Sequence, residues 1–513
     1  MAKKLTYFYL VPLWMVFVVN CFCSLFKTTY FELYVYNEIP RYKNDHPFLL
    51  ILFLSGFLFL AFKGSKLLDK QFFSTKRMTC IACGWAFLLS SFFVLLFRCG
   101  VVCDSGFLSN FAVQFMQGNY TAFAKGEYLH HYPFQLGMIA LLELLYRLFG
   151  VENYLSFQFL NVIAIACIIF LLNLITEELF EEERVCKLEA VISFGMLPLY
   201  LFATFIYGDI IGMAFGIGAI YYGIRYLKEE RIKHLLIAGA LFMPAVVVKS
   251  NIYVLMVAFV IAILIRMFQN KRWWLILFLL GILLFSQTGV KGIEAMYARR
   301  AGIEKILDGT PKIAWVAMSL QETDEESYGC GWYNGYNWKI YENCGFDVEL
   351  TSQACLENIK DSLQRFAEDP KEAVYFFYKK FVSQWNAPTL QAMITNEWYS
   401  RYTENKLPLA DYLIYGTGRK ILYQLMNFYH LFMFITGAAG CRYIIKNWRL
   451  ERAYFALNIF GGFLFHMIWE AQSRYILGYY VMMLPIAAVG CRQVFGWMVK
   501  CQVRINEHKR KNK

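Results

Sequence analysis

Ionisable side chains sit where long apolar runs stop, and their types suit one kind of chemistry. Asp104 follows Arg98 by six residues, just after the 20-residue apolar run Met78–Phe97. Asp209 stands in Tyr207-Gly208-Asp209 and Lys249 in Val248-Lys249-Ser250-Asn251. Glu470 and Arg474 stand in Trp469-Glu470-Ala471-Gln472-Ser473-Arg474-Tyr475. Ionisable residues at membrane depth are costly, so each position is a functional candidate. A carboxylate can act as general base on a hydroxyl. Lys and Arg can grip a phosphate and stabilise it as it leaves, Arg through a bidentate fork. An acid with cations at a membrane face therefore fits transfer of a group from a lipid phosphate. Each residue alone also has a plainer reading. Asp104 can be a solvated loop acid, and Asp209 a helix cap. Lys249 can snorkel from a helix end, and Glu470 and Arg474 can pair at i,i+4 spacing.

The elements that must position these groups are membrane helices. The 513 residues are 58% hydrophobic and 17% charged, against about 25% charged in soluble domains. Apolar runs recur along the chain and predict an all-α polytopic membrane protein with about twelve transmembrane helices. The runs are Tyr7–Phe26, Pro47–Phe62, Met78–Phe97, Tyr154–Ile175, Leu188–Ile206, Asp209–Leu227, His234–Val248, Asn251–Phe268, Trp273–Gln287, Ile421–Cys441, Ala453–Trp469 and Tyr475–Trp497. The net charge of +12 needs no nucleic acid, because much of it lies in short connecting segments. With the N-terminus inside, Met1–Lys4, Lys63–Arg77, Lys228–Lys233, Gln269–Arg272, Arg442–Arg452 and the tail Lys500–Lys513 all fall inside and are basic. Thr176–Lys187 also falls inside and is acidic, but acids carry little weight in that rule. Both termini are then cytoplasmic, and Asp104, Asp209, Lys249, Glu470 and Arg474 share the extracytoplasmic face.

This count requires Gln135–Phe149 to be an interfacial amphipathic helix rather than a span, as Glu143 and Arg147 favour. Two large outer segments follow, 98–153 and 288–420. The second carries Asp308, Glu322, Asp324, Glu325 and Glu326, and has helical periodicity over Ser352–Ala367 and Pro370–Gln384. Cys330 and Cys344 lie in that segment and can pair if it faces an oxidising space. The other cysteines act mostly as small hydrophobes. His130-His131 has no partner at ligand spacing, so it reads as structural and no metal is expected. Gly212, Gly216 and Gly218 read as helix packing. No Walker or Rossmann nucleotide-binding fingerprint is present, so the sequence does not support a soluble nucleotide-sugar donor.

Three groups of residues, in this order, carry a resemblance. The first is Asp104, Ala112, Gly118-Asn119-Tyr120, and Tyr132-Pro133 opening a helix that ends in Leu148-Phe149-Gly150. The second is Thr204-Phe205-Ile206-Tyr207-Gly208-Asp209, and the third Glu470…Arg474-Tyr475 leading to Pro485. The pattern resembles the GT-C superfamily of membrane glycosyltransferases, in particular the protein O-mannosyltransferase and aminoarabinose-transferase group (glycosyltransferase family 39). Lys379-Lys380-Phe381…Gln384-Trp385-Asn386-Ala387-Pro388 resembles a feature of bacterial glycosyltransferase-like proteins. The resemblance implies an inverting transfer from a polyprenyl-phosphate sugar, with no cofactor and Asp104 as catalytic base. Asp209 resembles a second acidic position on the substrate side, where Tyr132 and Glu470 are also expected. Arg474, Lys249 and Tyr475 would hold the donor phosphate. Where many relatives carry two adjacent acids, this chain has Asp104-Ser105.

The expected organisation is a GT-C-like transmembrane core over 1–287 with the catalytic loop 98–153. A small α-rich extracytoplasmic segment follows over 288–420, then C-terminal spans and a basic tail over 421–513. The expected partners are the bilayer, the lipid-linked donor and a glycan, lipid or protein acceptor. The rival is a transporter or flippase of lipid-linked glycans that grips phosphate without making bonds. Such proteins show pairs of Pro/Gly-interrupted helices, and no clear pair is evident in the sequence.

Overall fold

A computed structural model describes residues 2–34, 37–322, 329–401, 403 and 406–511. Asp324, Glu325 and Glu326 lie outside the described residues. Each apolar run anticipated above lies on a helix or on a bent pair of helices. Among the described residues, eight helices are long and apolar enough to cross a membrane, or ten if each bent pair is one span. That falls short of the expected twelve. Ile232–Val248 has only 17 residues. Leu450–Ile468 buries Arg452, Asn458 and His466 among other helices, so protein rather than lipid surrounds its polar groups. Arg452 there donates to the Leu179 and Asn447 carbonyls at 2.8 and 2.7 Å.

Two expected straight spans are broken. The first is Glu183–Ser193 followed by Leu197–Thr204, bent by 53°; Pro198 starts the second piece, where a missing N–H costs nothing. The other is Ser473–Val481 followed by Met483–His508, bent by 55°.

The segments expected inside do meet at one end of the bundle. Lys228 bridges Glu178 and Glu181 at 2.8 and 3.0 Å, and Arg449 reaches Glu181 at 3.1 Å. Arg184 faces Asp69, Arg272 holds Glu230, and Arg492 holds Glu182. The acidic segment Thr176–Lys187 is thus neutralised by its basic neighbours.

The loop 98–153 is mostly helical, with Cys103–Met116, Tyr128–His131 and Leu136–Phe149. Glu143, on the last of these, is buried and paired with Arg147 at 2.7 Å and Arg300 at 2.8 Å. In the second large segment the periodic stretches become Val348–Glu368 and Pro370–Trp385. Each starts where an aspartate caps free backbone N–H groups. Asp347 accepts from Glu349 and Leu350, and Asp369 from Lys371 and Glu372. Beyond Trp385 the chain turns inward, and residues 385–400 are all buried. Cys330 and Cys344 are not bonded to each other; the Cys330 thiol donates to Glu322 at 3.4 Å instead.

The sequence reading missed a two-stranded antiparallel hairpin, Lys27–Tyr34 with Asn37–Asn44. It follows the first helix and is fastened to the buried segment. Asn386 donates to the Lys27 carbonyl at 2.7 Å and accepts from Ser24 at 2.6 Å. The Thr29 backbone N–H donates to the Asn386 carbonyl at 3.1 Å. Opposite residues in such a ladder share a face. Register pairs Phe31 with Pro40 and Leu33 with Glu38, so Glu38 shares the face on which Phe31 packs against Trp332.

Candidate active site

Asp104 sits in the first turn of Cys103–Met116 rather than in a loop. Val102 donates its N–H to Ser105 Oγ, which in turn donates to the Val102 carbonyl at 2.9 Å. Ser105 is fully buried by this capping. Asp104 is left open to a cavity of about 770 Å3. Protein surrounds the rest of the side chain, and this burial raises its carboxyl above the usual range. Arg474, the Tyr128 hydroxyl and Lys249 pull it back.

Lys249 follows the end of Ile232–Val248, and that end is wedged between two other helices. A Cβ on Gly137 would lie 1.8 Å from the Val247 carbonyl oxygen. A Cβ on Gly212 would lie 2.8 Å from Lys249 Cβ. Only glycine allows either approach. The wedge holds Lys249 Nζ 3.0 Å from Asp209 and 4.4 Å from the Tyr207 ring centroid. Asp209 occupies the first turn of Asp209–Glu229, with no side-chain cap at Gly208. It therefore holds Lys249 rather than capping. Burial lowers the Lys249 ammonium pKa, and Asp209 opposes that.

Glu470 lies on the irregular stretch after Leu450–Ile468 and Arg474 in the short 3-10 helix Ser473–Ile476, so the two do not share one α-helical face at i,i+4 spacing. Glu470 accepts from the Tyr475 hydroxyl at 3.2 Å. Burial pushes its carboxyl up to about 7, against the opposing pull of Arg474. The Arg474 guanidinium lies over the rings of Phe205 and Tyr475, at 5.7 and 5.5 Å. Gln391 Oε1 accepts from the Arg474 backbone N–H at 2.8 Å. Leu390 and Gln391 have φ of 47° and 65°, the left-handed region that costs a non-glycine residue on the order of 1–3 kcal/mol.

Asp104, Tyr132, Lys249, Glu470, Arg474 and Tyr475 all line the one cavity. Asp209 stands behind Lys249. Trp315 and Trp469 form an aromatic wall, stacked with parallel planes at 6.0 Å. Leu136, Val246, Val247, Val290 and Ile293 line an apolar side. His131 stacks on Trp338 at 3.5 Å and reaches Thr310 at 3.3 Å, so it braces the rim. Sequence reasoning missed Glu38, which also lines the cavity, and Gln391, whose Nε2 donates to it. Glu38 left no signal in the sequence, because its place at the cavity depends on the register of the hairpin.

A separate comparison bears on this site. Residues 136–289 match the family model of dolichyl-phosphate-mannose-protein mannosyltransferases. The match covers 154 of the 513 residues and is a likeness to that family. It spans the glycine wedge, Asp209 and Lys249, and stops well before Glu470 and Arg474. No curated protein matches the chain.

Proposed function

We propose that the protein transfers a sugar from polyprenyl phosphate to an acceptor hydroxyl at the outer membrane face, inverting the anomeric centre, with Asp104 as general base. The observation that carries this reading is the shared cavity, which brings a carboxylate of raised pKa together with Arg474 and Lys249. Asp104 takes the acceptor proton as the acceptor oxygen bonds to the anomeric carbon. The bond from that carbon to the phosphate oxygen breaks, and its electron pair leaves with the phosphate. Arg474 and Lys249 hold the phosphate and stabilise the charge that grows on it. Tyr475 flanks them, while Asp209 keeps Lys249 oriented. Glu470 and Tyr132 position the acceptor, and the Trp315 and Trp469 wall suits a sugar ring.

The two bent spans favour one rival, a flippase of lipid-linked glycans, because broken helices are common in transporters. A general base has no task in that mechanism. Asp104→Asn keeps the shape and removes the base. It should cut sugar transfer by about a hundredfold or more at unchanged protein level, measured with labelled polyprenyl-phosphate sugars in membranes. Full transfer by the variant would exclude Asp104 as base, whereas a wild-type protein that transfers no sugar would favour the flippase.

A further inference from the structure

Glu38 is the one carboxylate lining the cavity that comes from the N-terminal hairpin. One of its oxygens accepts from Gln391 Nε2. The other, Oε1, is buried and has no hydrogen-bond partner. A carboxylate oxygen withdrawn from water without a donor is costly, and here it belongs to a side chain bordering empty space. Burial raises the Glu38 carboxyl above its ordinary range, and Arg474 opposes that rise. Gln391 links Glu38 to the Arg474 backbone, donating to Glu38 through Nε2 and accepting the Arg474 backbone N–H through Oε1. Its left-handed backbone, beside that of Leu390, shows that the bridge is imposed by its surroundings. The hairpin cannot easily withdraw Glu38, because Asn386 and Thr29 pin it to the buried segment. Glu38 is thus fixed beside the cation that would hold the donor phosphate, with hydrogen-bonding capacity unused. The group bonded to that phosphate in a donor is a sugar.

We infer that Glu38 is a donor-recognition residue that hydrogen-bonds a hydroxyl of the polyprenyl-phosphate sugar, through an element outside the segment that matches the family. The inference rests on the donor reading proposed above. It requires that Glu38 reads the sugar and not the phosphate.

The test uses the full-length protein in lipid nanodiscs. Two kinds of probe are titrated: undecaprenyl phosphate, and a panel of undecaprenyl-phosphate hexoses and pentoses. The wild-type protein should bind at least one glycosylated lipid more tightly than undecaprenyl phosphate. Glu38→Ala should weaken that lipid by about ten- to a hundredfold and leave undecaprenyl phosphate within about twofold. Glu38→Gln keeps an acceptor oxygen and should fall between, and it serves if the alanine variant does not fold. Equal weakening of both probes would make Glu38 a support for Arg474 and overturn the inference. Unchanged binding of both would overturn it too. If no glycosylated lipid outbinds undecaprenyl phosphate in the wild type, the donor reading itself falls, together with the part given to Glu38.

Discussion

At the residue scale, the site pairs acids of raised pKa with cations set into aromatic rings. Glu470 titrates near 7 because burial penalises its charge. Its neighbour Asp104 raises it further. A working base must be ionised, so transfer should fall as pH drops, with the limb above the ordinary carboxylate range of about 4. Glu470→Gln mimics the protonated form that Glu470 keeps up to about pH 7, so it should leave that limb in place in a profile of kcat/KM. Stability moves with pH in the opposite sense to transfer. The folded state holds a proton on Glu470 that the unfolded chain releases between the ordinary value of 4.5 and about 7. Stability is therefore lost as pH rises through that window. Thermal unfolding should show Glu470→Gln above the wild type at pH 8 and level with it near pH 4. Ser105 belongs to this scale as well. It stands where the resemblance led us to expect a second acid, yet it closes a helix start, and another carboxylate arrives from Glu38.

At the element scale, the site depends on how closely three helices approach. Gly137 and Gly212 admit the end of Ile232–Val248, which then presents Lys249. Gly137→Ala would drive a methyl into the Val247 carbonyl. It should lower the unfolding temperature by several degrees and reduce transfer, measured on the purified protein. Gly281→Ala is the control, because nothing lies within 4 Å of the added carbon. Alanine is the better helix former by about 1 kcal/mol, so this variant should be neutral or slightly more stable. The helices themselves were legible in the sequence, since lipid demands long apolar runs. The hairpin was not legible, because its stability comes from Asn386, more than 340 positions away in the chain. Hydropathy alone cannot register a partner that distant. The kinks in the two bent spans were hidden for a related reason: an apolar run looks the same whether it is straight or broken.

At the scale of the whole molecule, the alternation of basic and site-bearing segments was legible, and residues it placed on one face border one cavity. Asp104, Lys249, Glu470 and Arg474 are scattered over 370 positions yet border one cavity. Charge asymmetry revealed this because it constrains every loop at once. The aromatic wall and the inward turn of residues 385–400 depend on packing between distant segments, which no local pattern encodes. The orientation has its own test. An epitope inserted after Gly345 should be reached by antibody in intact cells or spheroplasts, while one after Lys513 should be reached only once the membrane is opened. The reverse labelling would turn the cavity toward the cytoplasm.

Acids and cations sharing one enclosed space have a further consequence for turnover. On the proposed chemistry, a negative charge disappears from Asp104 when it takes the proton, and one appears on the departing phosphate. The total charge inside the cavity is the same before and after. A weakly polar interior opposes any change in enclosed charge, but it does not oppose moving charge from one wall to another. Sugar transfer thus becomes a displacement of one electron charge from the Asp104 wall to the Arg474 wall. Recovery is a separate event, in which Asp104 returns its proton to water and the lipid carries its extra charge away. On this chemistry each turnover ends with a proton leaving the cavity, and the next cannot begin until it has.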